Sequence, residues 1–496
     1  MPRSIRLRSK ISRLIAAHKL IPITAIGLVI FAGAIFLARS HAAGVAVSAE
    51  SENGIVSGAA SVGTDSTASG GKYVSFGTPA TGGTLAVDFS KVIQTIDPLQ
   101  YGIDETGYPG GGPVLTNDPV EQQLIKTLGV KQIRIDLKYA VDGDPTSKII
   151  CGGSGCDTAP TGDQWIQTIK SLGAEPIEIV PLPKTSAIDT TDAVNLVKHF
   201  NAGGSGNPLY IKRWIIGNES TLTLAQQSTD FNADYAAMKA VDPNILVGGP
   251  ASPDFSCCST GGSLPIFLSG VTKIDFVDYH AYGQGGSVSK DDVTLINQPG
   301  NYETNNNSLH TLLAQKWPTN TPPIQVGEFQ LDWDGIDSRF RTQFTTVWGA
   351  SAMGHILKTG ATAFPYGTKN GGNDLGFMDA NNKDALMPIY HGYGMWTGES
   401  LFRGFGTQMV QASSGVSGVE VYASSNSKNI IVINKNTASA HATLNLAGST
   451  STSADVWRKD QTMNAAAVPS KIATITPGSS FDYDFPAYSV TTFVLN

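Results

Sequence analysis

The sequence predicts an α/β fold: a (β/α)8 barrel followed by a C-terminal β-sandwich and preceded by a transmembrane or signal segment. Three observations predict it. Short apolar segments alternate with helix-like segments through the middle of the chain, only strand-like segments follow residue 400, and residues 1–43 are basic and then apolar. Of the 496 residues, 41% are hydrophobic and 15% are charged, so the chain can bury a large core.

The N-terminal segment predicts export. Residues 1–43 hold seven basic residues and no acidic one, and residues 20–38 carry no charge, which is just long enough to span a bilayer. The basic stretch should stay cytoplasmic, and the small residues around Ser40 and Ala42 suit signal-peptide cleavage. An uncleaved anchor and a cleaved signal peptide both fit, and the length of the apolar run favours the anchor. Either one places the body of the chain outside the cytoplasm.

Residues 44–83 are rich in Gly, Ser, Ala and Thr and predict a linker. Within them, AVSAESENGIVSGAASVGTDSTASGGKYVSFG at 46–77 resembles the opening of carbohydrate-binding modules of the β-sandwich type. Such modules often begin with a Glu-bearing strand and an ASGGKYV strand. The resemblance covers only this opening, so it implies a truncated module, either a remnant or a short strand pair.

Eight apolar segments predict the strands of the barrel, which we assign to residues 84–400. They cover residues 101–105, 133–137, 176–182, 211–219, 245–251, 274–282, 324–329 and 361–367. Most are separated by helix-like stretches such as VEQQLIKTLG and DQWIQTIKSLG. Strands that are apolar on both faces suit a parallel sheet covered by helices. Eight such units are what a (β/α)8 barrel requires.

Residues 401–496 predict the β-sandwich. Six short strand-like segments with turn residues between them occupy this region: VSGVEVYAS, NIIVINKN, HATLNLAG, SADVWRK, KIATITPG and SVTTFVLN. No helix-length pattern interrupts them, as is typical of an all-β domain. The early alternating strand LAVDF at 85–89 is expected to join this domain rather than the barrel.

The charge distribution excludes nucleic acid as a partner. The net charge is −7, and because residues 1–43 contribute seven positive charges, the rest of the chain carries −14. Phosphates would be repelled by such a body. A neutral or cationic substrate fits better.

The four cysteines agree with export. Cys151 and Cys156 flank a short Gly-rich loop, and Cys257 and Cys258 are adjacent. Neither pair has zinc spacing or a neighbouring histidine, so disulfides in surface loops are favoured over metal. Bonds within each pair and two bonds crossing between the loops both remain open.

Two glutamates at the ends of predicted strands are the candidate catalytic residues. In a barrel the site is built from the loops after the strands' C-terminal ends, and Glu219 ends the fourth strand while Glu328 ends the seventh. A single glutamate there is usually a solvated loop residue. A pair on the same face suits sugar hydrolysis, which needs one protonated acid and one ionised nucleophile or base.

Other polar and aromatic residues at the same end are expected to complete the site. His280 and Tyr282 on the sixth strand are two residues apart and so point to one side. The second strand carries Arg134, and Tyr366 ends the eighth. Trp333 is the best candidate for stacking on a sugar. Four further aromatics are candidates for that role, although each is more often a core residue: Tyr108, Phe329, Tyr366 and Phe377.

The segments WIIGNE and IQVGEF resemble the acid/base and nucleophile strands of clan A glycoside hydrolases. The Gly-Asn-Glu form, HAY on the sixth strand, IDPLQYGID and the closing PAYSVTTFVLN look most like families 39, 51 and 79, which pair the barrel with a β-sandwich. The resemblance covers residues 84–496. One departure is Ser220, where several clan members have proline.

The resemblance implies a role for each matched residue. Glu219 would be the acid/base, Glu328 the nucleophile and Asn218 a ligand of the sugar 2-hydroxyl. Tyr282 would bond the nucleophile, and His280 would contact sugar. Arg134 would steady the nucleophile's charge. The pKa of Glu219 should be raised by the negative charge of Glu328 about 5 Å away.

The sequence thus predicts a retaining O-glycosidase of poly- or oligosaccharides that needs no cofactor or metal. Two alternatives stay open: a cell-surface carbohydrate-binding protein that has lost activity on the same fold, and a structural surface protein. The first is disfavoured by the retained pair of glutamates with Asn218 and Tyr282. The second predicts no ordered cleft around Glu219 and Glu328.

Overall fold

The computed structural model describes residues 60–64, 72–76, 82–105, 115–135, 160–180, 182, 188–253, 255, 264–286, 288–370 and 374–496. The chain divides into two units, Met1–Thr78 and Pro79–Asn496. The predicted membrane or signal segment, most of the linker, the four cysteines and Tyr108 lie outside the described residues. Among the helices that are described, none has the length and apolar character needed to cross a membrane.

The first unit contains one pair of described strands. Strand β1 (Ala60–Thr64) pairs antiparallel with β2 (Lys72–Phe76), with Val62 opposite Val74. This pair lies within the stretch that resembles the opening of a carbohydrate-binding module. The strand that holds KYV in that resemblance is β2.

The second unit contains a barrel of eight parallel strands. They are β4 (Gly102–Asp104), β5 (Gln132–Ile135), β6 (Glu175–Val180), β7 (Arg213–Ile216), β8 (Leu246–Ser252), β9 (Phe276–His280), β10 (Ile324–Phe329) and β11 (Thr362–Pro365). Each pairs with the next in chain order. Bridges from Tyr101 to Ala363 and from Asp104 to Tyr366 bring the first strand against the last. The predicted parallel barrel is confirmed.

Helices connect most of these strands. They are α1 (Pro119–Leu128), α2 (Gly162–Ser171), α3 (Thr191–Phe200), α4 (Leu224–Val241), α5 (Leu264–Gly270), α6 (Asp292–Asn297), α7 (Gly300–Lys316), α8 (Gln343–Lys358) and α9 (Pro388–Thr397). Local chemistry sets their ends. Asp118 accepts from the first backbone N–H groups of α1, and Gly129 ends that helix in the left-handed region at φ 80°.

The inside of the barrel is a packed core. Ile177, Ile179, Ile215, Phe276 and Phe364 form one buried cluster there. Glycines make room for its two rings, since a Cβ on Gly248 or Gly102 would lie within 2.4 Å of Phe276 or Phe364. The filled interior forces the polar side chains to the strands' C-terminal ends.

The last part of the chain, together with the early strand at 83–95, forms one nine-stranded, mostly antiparallel sheet. Its strands are β3 (Gly83–Thr95), β15 (Gln408–Ser414), β16 (Val419–Ser424), β17 (Asn429–Asn434), β18 (Ala440–Ala447), β19 (Ala454–Lys459), β20 (Ser470–Ile475), β21 (Ser480–Phe485) and β22 (Ser489–Leu495), in the order β20-β19-β22-β17-β16-β15-β3-β18-β21. The smaller strands β12 (Lys369–Asn370), β13 (Met378–Asp379) and β14 (Ala385–Leu386) form a separate sheet after the barrel.

This sheet folds over on itself into a sandwich-like layer pair. Phe481 on the edge strand β21 contacts Phe493 on β22 with ring centroids 5.3 Å apart, although several strands separate them in the sheet. The early strand β3 lies between β15 and β18. The outer face packs against the barrel helices, where Ile431 and Tyr422 share a buried cluster with Trp396.

Candidate active site

The candidate side chains converge at the C-terminal end of the barrel. They come from β5, β9 and β10 and from the residues just after β7, β9, β10 and β11: Arg134, Asn218, Glu219, His280, Tyr282, Glu328, Trp333 and Tyr366. Hydrogen bonds link the first six of these. The two glutamates, Tyr282, Trp333 and Tyr366 line a cleft of about 810 Å³.

Arg134 is the central cation of this site. Its Nη1 donates to Asp104 Oδ1 at 2.6 Å and to Glu328 Oε1 at 2.9 Å, and its Nη2 donates to Asn218 Oδ1 at 2.6 Å. The side chain is 1% exposed. Burial lowers the pKa of Arg134, but the carboxylates of Asp104, Glu328 and Asp278 overcome that effect and raise it above the ordinary value. The guanidinium therefore holds a permanent positive charge under the cleft.

Glu328 is held by two donors. Besides the bond from Arg134, its Oε2 accepts from the Tyr282 hydroxyl at 2.8 Å. Burial and the charge of Glu328 raise the pKa of Tyr282 well above its ordinary value, so the hydroxyl keeps its proton and donates. Two donors, one on each carboxylate oxygen, therefore fix the orientation of Glu328. The resemblance implied both of these partners, Arg134 and Tyr282.

Glu219 sits on a tight turn directly after β7. Gly217 has φ 93° and Glu219 itself φ 46°, a left-handed conformation that is costly for a residue with a side chain. Its backbone N–H donates to Ala251 O at 2.9 Å, which ties the turn to the next strand. The turn directs the side chain into the cleft, where it is 43% exposed.

Burial raises the pKa of Glu219, and the charge of Arg134 partly opposes this. The sequence predicted the same direction of pKa shift for Glu219 but attributed it to the negative charge of Glu328. The cause differs because the Arg134 guanidinium neutralises Glu328 and lies close to both glutamates. The direction of the shift still favours the protonated form of Glu219.

His280 lies behind the two glutamates. Its Nδ1 is 2.8 Å from Glu219 Oε1 and 3.4 Å from Glu328 Oε2, and its Nε2 is 3.1 Å from Arg134 Nη2. Burial and the charge of Arg134 lower the pKa of His280 to about 3, although Glu328 opposes them. The ring is therefore neutral. Because arginine can only donate, Nε2 must accept and Nδ1 must carry the proton.

The burial of His280 changes its expected role. The sequence predicted a direct contact with sugar, but the ring is fully buried and contacts the carboxylates instead. Asn218 is part-exposed, and its Oδ1 accepts from Arg134 Nη2. His280 therefore sits where it orients Glu219, and Asn218 where it orients Arg134.

Glu219, His280 and Glu328 each offer one ligand atom within 4.8 Å of the other two, a spacing that a metal ion could bridge. The nitrogen that faces both carboxylates is Nδ1, which carries the proton. Ligation there would require that proton to move to Nε2, against the N–H of Arg134. The donor set therefore suits proton transfer better than metal binding.

The structure adds two acids that the sequence analysis did not single out. Asp104, at the end of β4, anchors Arg134. Asp278 lies on β9 with its Oδ1 3.7 Å from His280 Nε2 and is fully buried. Burial raises the pKa of Asp278 to about 7, with a further contribution from Glu328 and against the effect of Arg134. The signal was available, since Asp278 precedes His280 by two residues and shares its side of the strand.

The aromatic candidates separate by burial. Trp333 is 57% exposed in the cleft. Tyr366 lines the cleft and packs edge-on against Tyr282 with ring centroids 6.2 Å apart. Phe329 and Phe377 are core residues, packed against Trp348 and Tyr390 among others. Only exposed rings at the cleft can stack on a ligand, so Trp333 and Tyr366 remain.

The cleft also exposes amide and amine groups. Gln284, Lys290, Gln298, Asn301 and Asn305 line its far wall, on the loop after β9 and the start of α7. Carboxamides both donate and accept hydrogen bonds, as sugar hydroxyls do. Sequence reasoning missed these residues because no pattern fixes which loop positions turn inward.

No family model and no curated protein matches the chain. Solved structures do match. The family 51 α-L-arabinofuranosidase of Thermotoga petrophila is 15% identical, with TM-score 0.64 over 83% of this chain and 99% of that one. A bifunctional glucanase-xylanase from a metagenome library is 15% identical, with TM-score 0.63 over 84% and 99%. A family 44 xyloglucanase of Paenibacillus polymyxa is 13% identical, with TM-score 0.59 over 84% and 100%. At these identities the likeness establishes the fold that these glycoside hydrolases share with the chain.

Proposed function

We propose that this chain is a retaining glycoside hydrolase in which Glu219 is the acid/base and Glu328 the nucleophile. The substrate is a poly- or oligosaccharide, and no cofactor takes part. The solved structures with the same fold include an arabinofuranosidase, a glucanase-xylanase and a xyloglucanase, which supports this class of reaction.

The separation of the two glutamates carries the proposal. A carboxylate oxygen of each lies within 4.8 Å of the other. Retaining enzymes keep their carboxyl groups about 5–5.5 Å apart, whereas inverting enzymes need about 6.5–9.5 Å to admit a water between them. The short separation favours direct attack by one glutamate over activation of a water.

In the first step, Glu328 attacks the anomeric carbon while Glu219 gives its proton to the departing glycosidic oxygen. The C–O bond to the leaving group breaks, and an ester to Glu328 forms. The charge on Glu328 is lost in this step, and Glu219 becomes the anion. The hydrogen bond from His280 Nδ1 and the charge of Arg134 then stabilise the ionised Glu219.

In the second step, Glu219 accepts a proton from a water molecule that attacks the anomeric carbon. The ester to Glu328 breaks, and both glutamates return to their starting states. Tyr282 and Arg134 donate to Glu328 as its negative charge reappears. The configuration at the anomeric carbon is inverted twice and therefore retained.

The test uses aryl glycosides of several sugars with anomer-resolved product analysis. Glu328→Gln should lower turnover by a factor of at least about 10⁴, because it removes the nucleophile. Glu219→Ala should slow the reaction, and added azide should restore it with an activated substrate by trapping the ester. Glu175→Gln, at the opposite end of the barrel, is the matched control and should retain activity.

Near-normal turnover in both site variants would contradict the assignment. Sugar binding without hydrolysis across the whole panel would instead support the alternative of an inactive carbohydrate-binding protein. We also propose that the body of the chain acts outside the cytoplasm, which the basic and then apolar residues 1–43 support. Protease protection in intact cells tests that location.

A further inference from the structure

A second groove lies beside the catalytic cleft. It has a volume of about 570 Å³ and shares Gln284 and Lys290 with the cleft. Its walls come from described residues within 284–286, 288–292 and 332–339, on the loops that follow β9 and β10. Trp333 belongs to the cleft, while its neighbours Asp332 and Asp334 line the groove. The two spaces therefore adjoin at Gln284, Lys290 and the loop that carries Trp333.

The wall between them is an extension of the barrel. Backbone N–H groups of Gly283 and Gln284 donate to Gln330 O at 2.9 Å and Leu331 O at 3.1 Å, and Trp333 N–H donates to Gln284 O at 3.2 Å. These bonds continue the pairing of β9 with β10 beyond the barrel rim. Trp333 consequently stands on hydrogen-bonded backbone rather than on a free loop.

Gly285 supports the Trp333 ring directly. A Cβ at position 285 would lie 1.5 Å from Cδ1 and 1.7 Å from Nε1 of the indole, so the ring rests against the glycine backbone. The side chain nevertheless stays 57% exposed. A ring packed on one side and open on the other is a platform for a flat ligand.

Beyond Trp333, further apolar side chains are exposed to solvent. Val288 is 60% exposed and Ile336 75% exposed, and both line the groove. Exposed apolar residues gathered in one groove and bordered by polar groups mark a binding site more often than chance exposure does.

Internal hydrogen bonds hold the groove open. Asp332 accepts from the N–H of Gly335 at 2.5 Å and of Asp337 at 3.2 Å, and Gln284 Nε2 donates to Asp337 Oδ2 at 2.6 Å. Arg339 pairs with Asp337 and with Asp292. A preformed groove binds with less ordering cost than a loop that must fold around its ligand.

We propose that this groove binds further sugar units of the same glycan chain whose bond is cut in the cleft, so that the enzyme acts on neutral chains of several units. The inference rests on the proposed function. Sugar rings present apolar faces and a rim of hydroxyls, which matches exposed Trp333, Val288 and Ile336 beside carboxylates and amides. Four aspartates against Lys290 and Arg339 leave the groove negative and disfavour an acidic glycan.

The test compares substrates of different length. We would measure kcat/KM for an aryl monoglycoside and for xylo-, cello- and arabino-oligosaccharides of two to six units. The variants are Val288→Ser combined with Ile336→Ser, which removes the apolar surface, and Gly285→Ala, which displaces Trp333. The matched control is Ile188→Ser combined with Val468→Ser, two exposed apolar residues far along the chain from the groove.

For the parent, kcat/KM should rise with chain length. In the double groove variant, kcat/KM for the longest chains should fall roughly tenfold, the change expected from loss of apolar contact. Its kcat/KM for the monoglycoside should stay unchanged. Gly285→Ala should lower activity on the long chains as well. An equal loss on all lengths, or no rise with length in the parent, overturns the inference while leaving the proposed function intact.

Binding separates the two proposals if no glycoside is hydrolysed. Calorimetric titration of the parent with the same oligosaccharides would then be decisive. Affinity that increases with length and falls in the double groove variant supports the groove without the catalytic assignment. Absence of binding to every oligosaccharide overturns it.

Discussion

His280 directs its Nδ1 proton at Glu219 Oε1 across 2.8 Å. Arg134 Nη2, 3.1 Å from Nε2 on the other side of the ring, fixes this tautomer. Oε1 of Glu219 is therefore already an acceptor, and a protonated Glu219 must carry its proton on Oε2. The histidine thus decides which oxygen of the acid faces the substrate.

The first prediction concerns the dependence of kcat/KM on pH. Activity requires Glu219 protonated, and burial raises its pKa, so the alkaline limb should lie above the ordinary value for glutamate. His280, with a pKa of about 3, stays neutral throughout this range. On an aryl glycoside activated enough for Glu219→Gln still to turn over, the alkaline limb should disappear in Glu219→Gln and remain in Glu175→Gln. Its persistence in Glu219→Gln would assign it to another group.

The second prediction concerns Arg134. Arg134→Met leaves Asp104 and Glu328 buried without their cation, which should destabilise the fold by about 3–5 kcal/mol. The measurement is urea unfolding at neutral pH. Arg213→Met is the control, because Arg213 is less buried, lies at the N-terminal end of β7 and should cost far less. Equal losses for the two variants would mean that Arg134 does not hold the carboxylates together.

The third prediction concerns Asp278, whose two carboxylate oxygens have no hydrogen-bond partner in the structure. Burial raises its pKa from 3.8 to about 7, so ionising it opposes folding. The penalty is absent below pH 3.8, grows as pH rises and is complete above about pH 7. Asp278→Asn should therefore gain stability relative to the parent across this range, by on the order of 4 kcal/mol at its end. A stability difference that does not change with pH would contradict the burial argument.

The fourth prediction concerns an ion network between the barrel and the sheet. His355 on α8 lies 2.9 Å from Glu303 on α7 and 3.2 Å from Glu420 on β16. Burial lowers the pKa of His355, but its hydrogen bonds to both glutamates outweigh that and raise it to about 9. The hydrogen bond from His355 Nδ1 lowers the pKa of Glu303 to about 2. Burial raises the pKa of Glu420, but the separate bond from His355 Nε2 outweighs it and lowers that pKa to about 2.

The directions of these pKa shifts define the pH range in which the network contributes fully to stability. The contribution of His355 is complete below pH 6.5 and is lost as pH rises through about 9. That of the glutamates is complete above pH 4.5 and is lost as pH falls through about 2. The contribution of this network to thermal stability should thus be constant between pH 4.5 and 6.5. His355→Gln should flatten the alkaline decline, whereas His441→Gln, at an exposed strand pair, should leave it unchanged.

The barrel and the polar residues at its C-terminal end could be predicted from strand order. Apolar segments at regular intervals predicted eight parallel strands, and the residues after them had to meet at one end of the barrel. Glu219, Glu328, Tyr282 and Arg134 were found in this way because their positions depend only on topology. The early strand 85–89 was assigned to the sandwich for a similar reason, since the chain must enter beside the barrel.

Other features were not predicted. The strand Ser480–Phe485 alternates clearly, but it lies between two more strongly apolar segments. Asp278 is one polar residue in an apolar strand, and its burial depends on neighbours distant in sequence. The sandwich proved to be a single folded sheet, which no strand pattern distinguishes from two separate sheets.

The sequence by itself determined the kind of fold and the end of the barrel at which Glu219 and Glu328 lie, because periodicity and strand order are properties of the chain. Only the tertiary structure decided how the site works. Burial rather than the charge of Glu328 raises the pKa of Glu219, His280 faces the carboxylates and not the cleft, and Trp333 rests on Gly285 beside a second groove. Desolvation, tautomer choice and contact depend on distances between residues far apart in sequence, and packing sets those distances.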